Sequence, residues 1–280
     1  MAFAEPLPLL PAGRQLRIAQ LGWLERAGLA GVALVTVLAI LVPLIAPHSP
    51  TASIGLPFGH TGVLGTDDLG RDLFSRVLYG MRTSWFSALA VVGISVVIGG
   101  VIGLVAGVSG GLIDAALMRL TDMMLALPGP VLAIAVIVAI GPGLIHLLLA
   151  VLVVWWPYYA RIVRGEARAI AVRPHVDAAR VAGVGFVRLV RRHVLPGVMP
   201  PVLVAASIDL GALILTLAGL SFIGLGAPPP APELGAMSAQ DLIYLFGHPL
   251  IPLAPAIAVS LLAFVANLAG DGLRNLMEDV

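Results

Sequence analysis

Residues Trp85–Val108 read WFSALAVVGISVVIGGVIGLVAGV, an uninterrupted stretch without a charged side chain. Crossing the roughly 30 Å hydrocarbon layer of a bilayer takes roughly 20 mostly apolar residues in a helix. This stretch is long enough, and it sets the reading of the rest. Inside it, Gly99, Gly103 and Gly107 fall every fourth residue, two overlapping G-x-x-x-G steps on one helix face. Such a face lets a second helix approach closely. The spacing leaves open whether that helix lies in this chain or in a partner.

Working outward, five further stretches have the same character: Leu29–Ala46, Ala115–Ile140, Leu144–Val163, Val198–Phe222 and Leu250–Ala269. The predicted fold class is therefore an all-α membrane protein with six transmembrane helices. Arginine placement orients it, because cytoplasmic loops collect basic residues. With both termini cytoplasmic, the inner face receives thirteen arginines, eight of them between Arg161 and Arg192. Only Arg71, Arg76 and Arg82 are left outside. The chain divides into a cytoplasmic segment 1–28, a first helix with an outer amphipathic segment 29–84, and a core 85–280 holding five helices and the large inner loop 164–197. The first apolar run, preceded by Arg14, Arg17 and Arg26, has no small-residue cleavage site after it and reads as a retained signal-anchor.

Composition agrees. Hydrophobic residues make up 59% of the 280 and charged residues 11%, against about 25% charged in soluble domains. Every one of the sixteen basic residues is arginine. Without lysine the chain has no Walker A phosphate loop and no Schiff-base nucleophile. Without cysteine it has no disulfide, no thiolate catalyst and no thiolate metal site. A net charge of +1 gives no field suited to nucleic acid. Neither G-x-S-x-G nor H-E-x-x-H occurs, and the chain is not read as an enzyme. His48, His60, His146 and His248 fall near outer helix ends without a ligand-type spacing, so no metal site is predicted.

The inner loop is the most informative stretch. His175–Gly197 reads HVDAARVAGVGFVRLVRRHVLPG. The Ala178-Ala179 pair makes a thin helical surface beside Asp177 and Arg180, Gly183 permits a turn or a close approach, and Leu195-Pro196 marks a boundary before the fifth span. Val184, Phe186, Val187, Leu189 and Val190 can form one apolar face. The expectation is a cytoplasmic helix–turn–helix suited to a groove on another protein. Anionic lipid headgroups would ask only for charge there, not for this order of small residues.

That order resembles the "EAA" loop of ABC-importer permeases: acidic-Ala-Ala, three residues, Gly, and a later Leu-Pro. Asp177 stands where Glu is commoner, and Arg192-His193-Val194-Leu195-Pro196 is similar to the ending of the peptide and nickel branch. Three other stretches carry the same resemblance. Leu64–Ser84, LGTDDLGRDLFSRVLYGMRTS, is similar to the "LGTDxxGRD" signature of dipeptide/oligopeptide permeases. Gly219–Met237, GLSFIGLGAPPPAPELGAM, is similar to a "LSFLGLGxxPPxPEWGxM" stretch, with Leu234 in place of Trp. Asn267–Asn275, NLAGDGLRN, is similar to the family's C-terminal "NLxGDxLRD". The likeness implies a type I ABC-importer permease fold that translocates dipeptides or oligopeptides, with nickel or glutathione as the alternative cargo. It also implies partners: a second homologous permease, two ATPase subunits and an extracytoplasmic substrate-binding protein, in contact with membrane lipids. ATP and Mg would sit on the ATPase subunits and no cofactor on this chain. Asp177, Ala178, Ala179, Arg180, Gly183, Leu195 and Pro196 would carry ATPase coupling.

Two groups of residues stay with open readings. Asp67, Gly70, Arg71 and Asp72 of the outer signature either receive substrate or binding protein, or cap and brace an amphipathic helix at the outer interface. Asp209, about halfway along the fifth span, costs on the order of 2.5–3.5 kcal/mol to insert. It either faces the translocation path or bonds a partner helix. An ATP-independent secondary transporter would need more than this one deep carboxylate. Arg119 and Asp122, three apart, are expected to pair and snorkel at the inner end of the third span.

Overall fold

A computed structural model describes residues 22–278, so Arg14 and Arg17 lie outside the described residues. Among the described residues, ten α-helices account for the architecture: α1 Trp23–Ile45, α2 Leu73–Ser109, α3 Gly111–Leu125, α4 Gly129–Ile140, α5 Leu144–Ala171, α6 Pro174–Val181, α7 Phe186–Leu189, α8 Leu195–Phe222, α9 Leu234–Gln240 and α10 Leu250–Glu278. Five helical stretches among the described residues are long and apolar enough to cross a membrane alone, and the bent pair α3–α4, taken as one span, makes a sixth.

Several boundaries differ from the sequence reading. α1 starts at Trp23 and is 23 residues long, so the first span is not short. The outer amphipathic segment is no separate interfacial helix. Leu73 begins a continuous 37-residue helix, α2, that runs through the whole second span. The third span is broken: α3 and α4 meet at 85°. The residues there are Leu127-Pro128-Gly129-Pro130, and prolines donate no N–H to a continuing ladder. Hydropathy alone does not register that interruption. Pro196 is likewise not a boundary. α7, a π-turn over Val190–Val194 and α8 run on as one helical stretch, Phe186–Phe222. The N–H of Leu195 bonds the carbonyl of Val190, five residues back, immediately before the proline that has no N–H to give.

α2 and α5 are the central pair. A Cβ on Gly103 would lie 2.5 Å from the carbonyl oxygen of Ala160, and one on Gly107 would lie 2.8 Å from the Ala167 side chain. Gly99 meets the backbone of Trp156 and Ala160 in the same way. The glycine stripe thus packs inside this chain. Around the pair, α8 lies against α10, and α1 docks on α10 where Gly28 meets the backbone of Leu268 and Ala269. The buried Trp85 donates its indole N–H to Thr36 Oγ1 at 3.1 Å, fixing α1 to α2. The largest buried side chains, among them Trp85, Leu147, Leu213, Ile214 and Leu262, form one core. Leu34, Val37, Ile40, Val97 and Val101 point outward, as lipid contact requires.

At the inner ends of α3 and α5, Arg164 grips both oxygens of Asp114, with Nη2 to Oδ2 at 2.6 Å, and Arg161 reaches Asp122 at 2.6 Å. Asp122 therefore bridges to α5 rather than to Arg119 on its own helix. Cross-helix pairing holds the broken span to α5, which an i,i+3 pair would not.

The glycine stripe yields a prediction. Gly103→Leu forces α2 off α5 and costs at least about 1–3 kcal/mol by overpacking. Gly93→Leu, where nothing lies within 4 Å, leaves stability near wild type. Thermal melting of the two variants in mild detergent, followed by size-exclusion chromatography, checks the difference.

Candidate functional site

Three places bring the singled-out residues together: an inner hairpin, an outer clasp and a cavity within the membrane.

The inner hairpin is α6 and α7. Pro174 opens α6 at a position where a helix needs no N–H. The helix closes on Gly183, whose φ is +74°. The Gly183 N–H bonds the Arg180 carbonyl at 3.0 Å, and the Val184 N–H bonds the Ala179 carbonyl at 3.1 Å. These two bonds make a Schellman cap, which needs a left-handed residue at the glycine. No atom lies within 4 Å of a Cβ built on Gly183, so the glycine serves the turn and not a close approach inside this chain.

The hairpin has two faces. Val176, Ala179, Leu189 and Val194 are buried with Val163, Ala167, Ile170, Val198 and Val202, which fastens the hairpin to the inner ends of α5 and α8. The other face is open. Val181 is 90% exposed and Val187 76%, beside exposed Asp177 and Ala178. Asp177 accepts from Arg180 at 3.0 Å. The expected single apolar face is thus split, with Leu189 turned inward and Phe186 and Val187 outward. Of the small pair only Ala178 reaches the surface. Leu195 is half-buried at the start of α8, and Pro196 is exposed.

The outer clasp gathers Asp67, Gly70, Arg71 and Asp72. Asp67 is buried, accepting from the backbone N–H groups of Leu69 and Arg71 at 2.9 and 2.8 Å and from Arg71 Nε at 2.7 Å. Gly70 turns the chain at φ +74°, where a Cβ would run into the Gly55 carbonyl. Asp72 caps α2, accepting from the Ser75 N–H at 3.2 Å, and meets His48 Nδ1 at 3.3 Å. Arg76, not singled out as a site residue from the sequence, joins the two outer segments. It donates to the carbonyls of Pro50 at 2.9 Å and Pro230 at 3.4 Å and pairs with Asp67 at 3.3 Å. Its place in the Ser75-Arg76 step of the signature was the available signal. Glu233, also unassigned from sequence, is buried and caps α9, accepting from Ala236 N–H at 2.8 Å and Gly235 N–H at 3.2 Å. Phe58 stacks on His248 with centroids 4.4 Å apart, and His146 contacts the Gly141 carbonyl at 2.9 Å. His48, His146 and His248 thus serve separate local contacts.

Asp209 lines two adjoining cavities. One, of about 290 Å³, includes Gly129, Pro130, Val154, Trp155, Tyr158 and Thr216. The other, of about 390 Å³, continues inward along Pro200, Pro201, Val204 and Ile208 to Arg274. The break between α3 and α4 opens on the first cavity. Irregular backbone at membrane depth is tolerated where it lines a cavity.

The clasp has a pH signature. Burial, then the charges of Asp68 and Asp67, push the Asp241 carboxyl up to about 6. Burial also raises Glu233. A carboxyl raised on folding contributes stability below its unfolded value near 3.8 and loses it as pH climbs through about 6. Asp241→Asn is therefore expected to melt a few degrees above wild type at pH 7.5, with the gap closing toward pH 4. Paired melting curves across that window check it.

Residues 99–279 match the family described as binding-protein-dependent transport system inner membrane component. A probable D,D-dipeptide transport system permease protein of Escherichia coli is 40% identical over 88% of this chain and 84% of its own. A dipeptide transport system permease protein of Haemophilus influenzae is 36% identical over 90% and 88%. A nickel transport system permease protein of Escherichia coli is 35% identical over 91% and 94%. Among solved structures, an inward-facing MetNI methionine ABC transporter chain matches with a TM-score of 0.55 at 21% identity, covering 73% of this chain and 97% of that one, a likeness of fold. With six apolar crossings, an inner hairpin fixed to two of them and a family match over most of its length, the chain belongs to the binding-protein-dependent inner membrane components, the multi-pass permease subunits of ABC importers in the cytoplasmic membrane.

Proposed function

We infer that this permease forms one half of a two-permease channel that moves dipeptides or short oligopeptides inward at the expense of ATP. The observation that carries the reading is the inner hairpin. A short capped helix presents Asp177, Ala178 and Val181 to the cytoplasm, while its other face is packed into α5 and α8. A push on such a surface moves two spanning helices together, because close-packed interiors transmit displacement. Relatives named for dipeptide and D,D-dipeptide transport support the cargo.

In this reading each of two ATPase subunits receives one hairpin, an extracytoplasmic binding protein delivers cargo over the outer clasp, and lipid surrounds the outer helix faces. Nucleotide and Mg belong to the ATPase subunits, and this chain performs no bond chemistry. ATP binding favours the outward-open state because the closed ATPase dimer holds the two hairpins in that spacing. Hydrolysis releases it, a shift of population between alternate-access states. Asp177, Ala178, Arg180 and Gly183 form the contact, backed by Ala179, which packs toward α8, while Leu195 and Pro196 open α8 at the joint with the hairpin.

Gly183 separates docking from folding. Gly183→Arg carries a left-handed penalty of about 1–2 kcal/mol and sets a large side chain on the docking face. The expected outcome is normal membrane insertion with loss of uptake and of ATPase subunits in a mild-detergent pull-down. Gly183→Asn, which tolerates positive φ, retains both. An Arg variant that transports normally would remove the coupling assignment.

A further inference from the structure

Within the membrane-spanning part, the two cavities that adjoin at Asp209 and Tyr158 share a single ionisable group of negative sign. The outer cavity is otherwise walled by Trp155, Tyr158, Pro130, apolar side chains and the hydroxyl of Thr216, whereas the inner one continues along Pro200 and Pro201 to Arg274, so the aromatic, cation-free surroundings of Asp209 are those of the outer cavity. Asp209 Oδ2 is buried, with the buried Tyr159 hydroxyl close by as a polar neighbour but no hydrogen bond of full geometry between the two. A carboxylate left in this state at membrane depth is costly unless a partner arrives. An aromatic wall beside a carboxylate is the chemistry that receives an ammonium group, by charge pairing from one side and by the ring faces from the other.

We propose that Asp209, with Trp155 and Tyr158, is a transient subsite for the α-ammonium group of a peptide in transit. This deepens the peptide-import reading and rests on it. The chemistry selects among cargoes. A divalent metal asks for several oxygen or imidazole ligands, and no cluster of three such side chains occurs among the described residues. The amino group of glutathione carries its own carboxylate on the same carbon, which Asp209 repels. The amino terminus of an ordinary dipeptide has a neutral peptide group there instead. The site has to be weak, because a group that holds cargo tightly stops conduction.

Two measurements on the complete transporter, purified with its partners and reconstituted in proteoliposomes, test the subsite. In the first, ATP-driven uptake of labelled dialanine is compared for wild type, Asp209→Asn and Asp209→Glu. The expected result is a loss of about thirtyfold or more in Asn, as for truncating one side of a desolvated charge pair, with substantial recovery in Glu. In the second, tryptophan fluorescence of the wild-type complex without binding protein is titrated with dialanine and with N-acetyl-dialanine, against a Trp155→Phe control. Saturable change with the free amine alone, absent in the control, supports the subsite and asks nothing of a variant's folding. Equal uptake by wild type and Asp209→Asn, or equal response to both peptides, overturns the subsite and leaves peptide import standing. A wild-type complex that hydrolyses ATP and carries nickel or glutathione but no dipeptide overturns both.

Discussion

The backbones of α2 and α5 touch along Gly99, Gly103 and Gly107, and this contact seats the functional parts at both membrane faces. In lipid there is no hydrophobic drive to bring two apolar helices together, so close backbone approach supplies the attraction through dispersion and fit. α2 begins in the outer clasp at Asp72 and Arg76. α5 ends beside the inner hairpin. Locked as a pair, they span from one to the other without an intervening loop. Any side chain larger than hydrogen on the stripe would separate them.

Charge is used differently at the two faces. Outside, Asp67, Arg71, Asp72 and Arg76 are buried together, with each carboxylate taking backbone or arginine donors, so two long irregular segments are held without regular secondary structure. Buried pairs of this kind contribute geometry more than net stability. Inside, Asp114–Arg164 ties the broken third span to α5, while Asp177–Arg180 stays exposed on the hairpin. The exposed pair costs little to rearrange, as a docking surface requires.

The break between α3 and α4 and the π-turn before Pro196 are the two departures from regular helix in the spanning part. One opens onto the cavity at Asp209 and the other joins the hairpin to α8. Both follow from proline, which removes an N–H from the ladder. Irregularity therefore coincides with the cavity at Asp209 and with the joint between the hairpin and α8.

The crossings, the orientation and the inner loop were legible in the chain itself, because they depend on local composition: apolar runs, arginine asymmetry and the Asp177-Ala178-Ala179 to Gly183 spacing. The cap on Gly183 is local too, and its positive φ could be anticipated from the residue type. The tertiary structure alone decided what depends on contact between distant segments. It turned the glycine stripe toward α5, made Leu73–Ser84 the start of α2, gave Asp122 to Arg161, and placed Arg76 between Pro50 and Pro230. It also set Asp209 beside Trp155 and Tyr158 at the α3–α4 break. Periodicity reports which residues share a face of one helix. Which neighbour that face meets is settled by packing between helices, and no single stretch of sequence contains it.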